Sequence, residues 1–401
     1  MYNLSQNIKF KFEYIYLIGL ILAVFSFTLN ITELSETQTA INSIVNILKY
    51  IGIGLILLKS LFFTKYKKAS PIFWILLLLL LFIIYIHTHN NNLIFIALLS
   101  LGAVNVDTKL ILKSHIIAQI LAIIFTFFLV RHNVIMNLIY YRNNKMRPSF
   151  GFVYPTALSA VLFSIVISYV VLKKFTLNIW EYFLIICLIY FTLFVLDARL
   201  DGYLMIMIIV SVFLYKKIIN VISKLKKSIC LVISLFFITL SFLLSYFFND
   251  SSSFFSNLDN IFNNILSQSH IALTQYPLSL LGQNIQMQGL GGQQGLHQNF
   301  TYYFYIDNSF IQILIIDGLI LFLIVLFLII TFFIKWHQQR MYILELALLF
   351  VCIAAMVEDS LVSAASSIIF IIMMANNDGY KNYIEDNYHE YTTKNEKSSV
   401  Y

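Results

Sequence analysis

Four of the five arginines in this sequence lie in short polar stretches between long apolar runs; they are Arg131, Arg142, Arg147 and Arg199. A guanidinium offers a planar fork of donors that binds phosphate bidentately, whereas a lysine ammonium acts as a hydrated point charge. We therefore expect a site for a phosphate-bearing anion, with Arg147 and Arg199 as its first candidates and Arg142 as the next. The alternative is that these arginines only pair with nearby carboxylates or with lipid phosphates.

Carboxylates accompany the arginines in the run Leu196–Tyr203, where Asp197 and Asp201 flank Arg199. A neighbouring carboxylate fixes the direction of a long side chain, so Asp197 or Asp201 is predicted to orient Arg199 while its remaining donors bind a phosphate, and both acids are candidates for orienting the substrate. In the alternative interpretation, the three charges form a local ion pair that closes a short turn between two helices.

The segment Tyr140–Thr156 carries Arg142 and Arg147 into an apolar run, and its prolines and glycine disfavour regular helix. We expect a broken helix entrance whose free N–H groups face the same anion. An ordinary loop with proline in the first helical turn is the alternative. Tyr154 in this segment and Tyr303 farther along the chain offer aromatic rings on which the C–H face of a sugar can stack. Tyrosine at a membrane interface needs no such role, however.

A proton acceptor is expected in the polar stretch 249–308. An unperturbed imidazole, with a pKa near about 6.5, can accept a proton from a hydroxyl group, which makes His297 the first candidate for a catalytic base. Asp307 is the competing candidate. The alternative for His297 is a solvated surface histidine without a catalytic role.

The composition places the chain in a membrane. Hydrophobic residues make up 60% of it and charged residues 11%, against roughly 45–50% and about 25% in soluble domains. Apolar runs long enough to cross a bilayer recur from end to end, so the fold is predicted to be an all-α polytopic membrane protein. The first run is read as a retained helix rather than a cleaved signal. The three cysteines lack metal-like spacing, so neither a disulfide framework nor a zinc site is expected.

About twelve transmembrane helices are predicted, with one large extracytoplasmic loop between the ninth and the tenth. The spans are Tyr14–Leu29, Ala40–Phe63, Ile72–Ile86, Leu93–Val106, Ile116–Val130, Phe152–Leu172, Ile179–Leu196, Gly202–Tyr215, Ile229–Phe248, Ser309–Ile334, Tyr342–Val357 and Leu361–Met374. Residues 1–248 thus hold nine helices, 249–308 the large loop, 309–375 three more helices, and 376–401 a disordered cytoplasmic tail.

The lysines set the orientation in the cell membrane. Most of the 26 lysines and arginines fall on alternate loops when the N-terminus is placed in the cytoplasm, as the positive-inside rule requires. Both termini are then cytoplasmic, and the large loop and the four arginines named above face outward. Because arginine is concentrated on the side where lysine is scarce, topology alone does not account for it.

With these segments in place, the chain resembles the O-antigen polymerase/ligase superfamily, especially the Wzy-type polymerases of capsular and exopolysaccharides. The resemblance lies in the order of the features along the chain. These are many spans, Arg147-Pro-Ser-Phe-Gly-Phe-Val-Tyr-Pro-Thr, Asp197-Ala-Arg199, a large late outer loop, Tyr-Pro-Leu-Ser-Leu-Leu-Gly282, Ile306-Asp-Asn-Ser-Phe-Ile and Asp317-Gly. The motifs cover a small part of the chain, and the pattern of spans covers nearly all of it.

The resemblance implies polymerisation of undecaprenyl-diphosphate-linked oligosaccharide repeat units at the outer face of the cytoplasmic membrane, without a cofactor or a metal. It implies outer arginines that hold the diphosphate, with a flippase and a chain-length regulator as partners besides membrane lipids; nucleic acid is not expected. Where related proteins often carry Ser-Gly-Arg, this chain reads Ser267-Gln-Ser-His270. Either His270 replaces that arginine in binding the diphosphate, or Arg142 or Arg131 supplies the charge.

Two other functions are compatible with the same features. A ligase of the same superfamily would transfer finished glycan to a different acceptor. A transporter of lipid-linked glycan, which belongs to another class, would instead require paired broken helices and ionisable residues at the membrane midplane.

Overall fold

The computed structural model describes residues 2–66, 70–297 and 303–381, and its secondary structure is almost entirely helical. The predicted disordered tail lies outside the described residues from 382 onward. Its first residues are held against the body of the protein, since the Asn376 amide donates to the Val106 carbonyl over 2.8 Å.

The helices are numbered in chain order. The first nine are α1 Tyr2–Leu29, α2 Leu34–Thr37, α3 Thr39–Phe63, α4 Ser70–Thr88, α5 Asn92–Ala103, α6 Thr108–Arg131, α7 Pro155–Leu172, α8 Ile179–Tyr190 and α9 Arg199–Phe213. The others are α10 Tyr215–Lys224, α11 Lys227–Tyr246, α12 Ser253–Ile261, α13 Ile265–Gln275, α14 Gly292–His297, α15 Ser309–Gln312, α16 Leu319–Gln338, α17 Tyr342–Ala354 and α18 Ile368–Met373. Strands β1 Ile139–Arg142 and β2 Lys145–Pro148 form a hairpin, and Asp378–Tyr380 is a 3₁₀ turn.

Seven of the described helices are long and apolar enough to cross a membrane: α1, α3, α4, α6, α7, α11 and α16. The pair α9 and α10, which is bent by 82°, adds an eighth if it counts as one broken span. Helices α5, α8 and α17 are apolar but shorter. The expectation of an all-α, polytopic membrane protein is thus confirmed in outline, while the count of twelve spans stays a prediction.

Two predicted spans are interrupted, whereas Ile179–Leu196 continues from α8 through the π-helical segment Phe191–Val195. Within Leu361–Met374, only α18 is helical. The predicted span Ser309–Ile334 is divided at Gly318, whose positive φ of 98° follows a second π-helical segment, Ile313–Asp317. Hydropathy reports how apolar a segment is and not whether its helix is continuous, so these breaks escape a prediction from hydropathy.

Two lysines lie inside a predicted span, and both are buried with partners. Lys59 donates to the carbonyl of Gly102 in the last turn of α5 and to that of Val104 just after it, at 2.8 and 2.5 Å. The Lys49 ammonium lies 5.1 Å from the ring centroid of Tyr50 and 5.5 Å from that of Phe95. Carbonyl oxygens and aromatic faces thus compensate the two charges, which is the usual condition for a cation inside a bundle.

The large loop folds back onto the helices. The Gly292 amide, at the start of α14, donates to the Val153 carbonyl over 2.7 Å, and the next amide donates to the Glu36 carboxylate over 3.2 Å. At the other side of the loop, the Gln283 amide donates to the Ile316 carbonyl over 2.8 Å. The predicted outer loop is therefore anchored at two separate places in the bundle.

Helices α1 and α3 cross at a pair of glycines, and this contact yields a stability prediction. A Cβ atom at Gly52 would lie 2.7 Å from the Gly19 carbonyl oxygen, whereas one at Gly54, two residues on, would meet nothing within 4 Å. We expect Gly52→Val to lower the free energy of unfolding by about 1–3 kcal/mol through overpacking. The midpoint of thermal unfolding in detergent measures this. Gly54→Val is the matched control, and equal midpoints for the two variants would contradict the tight crossing.

Candidate functional site

The carboxylate of Asp197 is the centre of a cluster of four cations. The Lys145 ammonium lies 3.3 Å from Oδ1, and the Arg142 guanidinium lies 3.3 Å from Oδ2. The Nε atom of Arg199 is 3.5 Å from Oδ1, and that of Arg147 is 3.9 Å from Oδ2. Burial alone would raise the pKa of Asp197, but the cations outweigh it and hold that pKa below its ordinary value. Asp197 is therefore an anion at neutral pH.

The hairpin β1–β2 brings three of these cations together. Its register pairs Arg142 with Lys145 and Tyr140 with Arg147, and side chains two apart on a strand share a face. Arg142, Lys145 and Arg147 therefore lie on one face of the hairpin. Asn143 and Asn144 form its two-residue turn with φ of 49° and 63°, a conformation that asparagine tolerates well. The broken helix entrance expected in this segment is a hairpin followed by α7.

The fourth cation comes from the turn before α9. Asp197 has a positive φ of 50°, and the Ala198 amide donates to the Thr192 carbonyl over 3.0 Å. This tight turn places Arg199 at the start of α9 and points both aspartates of the segment inward. Asp201 is buried and accepts a hydrogen bond from the Ser159 hydroxyl of α7. The sequence-based expectation that Asp197 orients Arg199 agrees with these contacts.

Arg147 is the most deeply placed of the cations, with only 1% of its surface exposed. Its Nε donates to the Leu196 carbonyl over 3.0 Å, and its Nη1 donates to the Tyr154 hydroxyl over 3.3 Å. The guanidinium also lies 5.3 Å from the centroid of the Tyr154 ring. Within the described part of the chain, its Nη2 has no hydrogen-bond partner. A buried donor without a partner is costly, and an acceptor atom of a ligand would satisfy it.

A group of acids and tyrosines adjoins the cations. The Tyr305 hydroxyl donates to the Asp359 carboxylate over 3.0 Å. Burial, and then the charges of Asp359 and Asp201, raises the pKa of Asp307 to about 8. Burial also raises the pKa of Asp359. Asp307 therefore carries a proton at neutral pH and releases it in mildly alkaline solution, a range in which a carboxyl group can exchange protons with substrate.

Two tyrosines connect the acids with the cations. Tyr154 bonds to Arg147, as described above, and lies close enough to Tyr303 to contribute to raising its pKa. Burial is the largest cause of that rise, and the negative charge of Asp307 is the second. Of the predicted pair of orienting tyrosines, Tyr154 thus contacts Arg147, and Tyr303 lies close enough to Tyr154 and Asp307 for both to affect its pKa.

The two predicted histidines lie elsewhere. His297 is exposed at the end of α14, next to the stretch 298–302 that the structure does not describe. His270 of α13 is half-buried, and its Nδ1 donates to the Ser245 carbonyl of α11 over 2.9 Å. No hydrogen bond or ion pair of the described residues joins either histidine to the Asp197 cluster. Their roles as base and as diphosphate ligand stay predictions that this geometry does not support.

Two residues of the site were not among the predicted site residues. Lys145 stands opposite Arg142 across the hairpin turn, and the Asn-Asn pair between two short polar-apolar runs is a signal from which the hairpin could have been predicted. Tyr305 is hydrogen-bonded to Asp359, which lies 54 positions farther along the chain, and the sequence carries no signal for that contact.

Comparisons with protein families, with curated proteins and with solved structures find no match to this chain.

The cluster predicts a strong dependence of stability on Asp197. We expect Asp197→Asn to lower the free energy of unfolding by about 3 kcal/mol at neutral pH, because it leaves several cations close together without their shared anion. Since the pKa of Asp197 is lowered in the folded protein, its contribution is complete above the ordinary value of 3.8 and is lost as the pH falls below it.

Thermal unfolding of wild type and Asp197→Asn between pH 7 and pH 3 measures this difference. The matched control is Asp378→Asn, which removes the exposed carboxylate 2.7 Å from Lys381 and should change stability little. A difference between wild type and Asp197→Asn that does not shrink in acid would contradict the assignment of the charge to Asp197.

Proposed function

We propose that this protein polymerises lipid-diphosphate-linked oligosaccharide repeat units at the outer face of the cytoplasmic membrane. The observation that supports the proposal is the convergence of four cations on Asp197, with a buried and unpartnered Nη2 of Arg147, beside a proton-exchanging carboxyl group. In this arrangement an anion-binding site adjoins a candidate base in a chain of apolar helices.

The donor diphosphate binds to the arginines. One carboxylate balances only part of the charge of four cations, so the cluster favours a further anion, and a diphosphate carries the oxygens that guanidinium groups bind. Arg147 offers its Nη2, and Arg199, with 43% of its side chain exposed, is accessible from outside. Arg142 and Lys145 hold Asp197 in place and add to the positive field.

The transfer itself is a displacement at the anomeric carbon C1 of the donor glycan. The acceptor hydroxyl oxygen forms the new bond to C1, the bond between C1 and the diphosphate oxygen breaks, and the hydroxyl proton passes to the ionised carboxylate of Asp307. The bonding electrons leave with the lipid diphosphate, whose charge the arginines stabilise. Tyr154 and Tyr303, between the two groups, orient the sugars, and no metal or cofactor takes part.

The orientation inferred from the lysines belongs to the same proposal. Both termini face the cytoplasm, and the Asp197 cluster lies at the outer surface, where it meets donor and acceptor chains carried on undecaprenyl diphosphate. The lipids of the membrane, a flippase that delivers the repeat units and a chain-length regulator are the proposed partners.

Two alternatives use the same geometry. A ligase would bind the same diphosphate but release a single capped acceptor, whereas a polymerase produces a ladder of increasing repeat number. The observation that favours transport of lipid-linked glycan is the 82° bend between α9 and α10, because a transporter would require broken helices. However, α10 carries Lys216, Lys217 and Lys224, which suits a helix at the membrane surface better than the broken half of a span.

The arginines give the first test of the proposed activity, in an in vitro assay with lipid-linked repeat units. We expect Arg147→Lys and Arg199→Lys each to reduce elongation by about 100-fold or more, because lysine lacks the bidentate fork that stabilises the leaving diphosphate. Arg131→Lys is the matched control, since Arg131 is exposed at the end of α6 and should tolerate the change. Full elongation by both site variants would exclude the diphosphate site.

The pH dependence of elongation gives the second test. Because only the ionised carboxylate of Asp307 accepts a proton, the rate should rise by about tenfold per pH unit below pH 8 and level off above it. The Asp307→Asn variant should elongate slowly and show no such rise of the rate with pH. The Asp250→Asn variant, changed in the exposed part of the loop, should keep that rise. A pH dependence that disappears in His297→Gln and persists in Asp307→Asn would instead assign the base to His297.

A further inference from the structure

A second polar cluster joins three helices at the ends where α11 and α17 begin and α16 terminates. Cys230 lies in the first turn of α11, His337 in the last turn of α16, and Glu345 in the first turn of α17. The Cys230 Sγ is 3.2 Å from the Nδ1 of His337, which in turn lies 3.2 and 3.3 Å from the two carboxylate oxygens of Glu345. Cys230 and Glu345 are buried, and 11% of the His337 side chain is exposed.

The other ring nitrogen of His337 fixes the tautomer of the neutral imidazole. The Nε2 atom lies 3.2 Å from the carbonyl oxygen of Leu225, which can only accept a hydrogen bond, so Nε2 carries the hydrogen. The Nδ1 atom then presents a lone pair to the thiol and the carboxylate. A sulfur, a nitrogen and an oxygen that can each donate an electron pair to a metal ion thus lie within 4.8 Å of one another.

We propose that Cys230, His337 and Glu345 bind a divalent transition metal ion of the zinc class. Thiolate, imidazole and carboxylate are the ligand types that zinc takes in proteins, and a ligating histidine usually donates its second nitrogen to a carbonyl, as His337 does to Leu225. The ion would displace the thiol proton of Cys230 into solvent. One thiolate and one carboxylate then neutralise the charge of the ion, so the buried site carries no net charge.

The site would tie the ends of α11, α16 and α17 together at the face where the lysines lie. Lys226 and Lys227 stand four and three residues before Cys230, and Lys335 stands two residues before His337, so the positive-inside rule favours the cytoplasmic surface for the cluster. Glu345 lies in the first turn of α17, whereas Asp359, in the group of acids beside the Asp197 cluster, follows the other end of that helix, which spans about 20 Å at ~1.5 Å per residue. The metal site is therefore separate from the Asp197 cluster, and three protein ligands leave a fourth position for water.

The sequence analysis did not expect a metal because the ligands are far apart in the chain. Cys230 and His337 are separated by 107 positions, and neither belongs to a short ligand motif of the kind that indicates zinc. Only the packing of α11 against α16 and α17 brings them together.

Metal binding to the full-length protein tests the proposal. The protein is purified in detergent through a tag without histidine, and zinc content and Co²⁺ absorption are measured with the metal salts alone as probes. A double variant, Cys187→Ala with Cys352→Ala, retains Cys230 as the one cysteine and leaves the cluster intact. We expect about one ion per chain in this variant, with the thiolate-to-Co²⁺ charge-transfer band and the intense visible bands of a tetrahedral site.

Single-ligand variants complete the test. Cys230→Ser should lose the charge-transfer band, and Cys230→Ser and His337→Gln should each weaken Co²⁺ binding by more than the roughly 10–100-fold that loss of an outer-shell partner costs. Cys352→Ser, a buried cysteine of α17 outside the cluster, is the matched control and should bind as wild type does. Absence of stoichiometric metal from the Cys230-only protein would overturn the proposal. It would leave the polar contact between His337 and Glu345 as the role of the cluster.

Discussion

The site depends on one carboxylate that holds four cations within 4 Å. Without Asp197, the guanidinium and ammonium groups of the hairpin would repel one another, and the ion contacts that join the hairpin to the turn before α9 would be lost. The carboxylate takes this position because the backbone of Asp197 adopts a positive φ, which redirects the chain between a π-helical segment and α9. The ion contacts compensate in part for the cost of that conformation and for the cost of burying charge, and backbone strain of this kind is common at functional sites.

The arrangement is better explained by binding than by stability. Buried ion networks repay at best part of their desolvation cost, and an apolar bundle could be closed more cheaply by apolar side chains. Here the cations exceed the carboxylate that collects them, and Arg147 keeps a buried nitrogen without a partner among the described residues. A surplus of positive charge and a buried donor without a partner at the same place favour the binding of a further anion.

The sequence predicted the apolar helices and the arginine site because both depend on local composition. Runs of apolar residues located the seven long helices, and the concentration of arginine, rather than lysine, at Arg147 and Arg199 indicated the cluster. Breaks within apolar runs were missed. At one of them, Gly318 packs against Gly282, which lies 36 positions away in the sequence, so the local composition does not reveal the contact. The bond from Tyr305 to Asp359 and the meeting of Cys230 with His337 were missed for the same reason. Side chains that converge from distant helices leave no periodicity in the sequence.

One helical turn connects the two halves of the site. Arg199, which contacts Asp197, and Asp201, whose charge helps to raise the pKa of Asp307, both lie in the first turn of α9. Asp201 is fixed to α7 by the Ser159 hydroxyl, and α7 begins directly after Tyr154, the partner of Arg147. A displacement of α9 would therefore move Arg199 and Asp201 together, and through the charge of Asp201 it would also change the pKa of Asp307. That coupling suits a reaction in which a leaving group and a proton must be transferred in the same step.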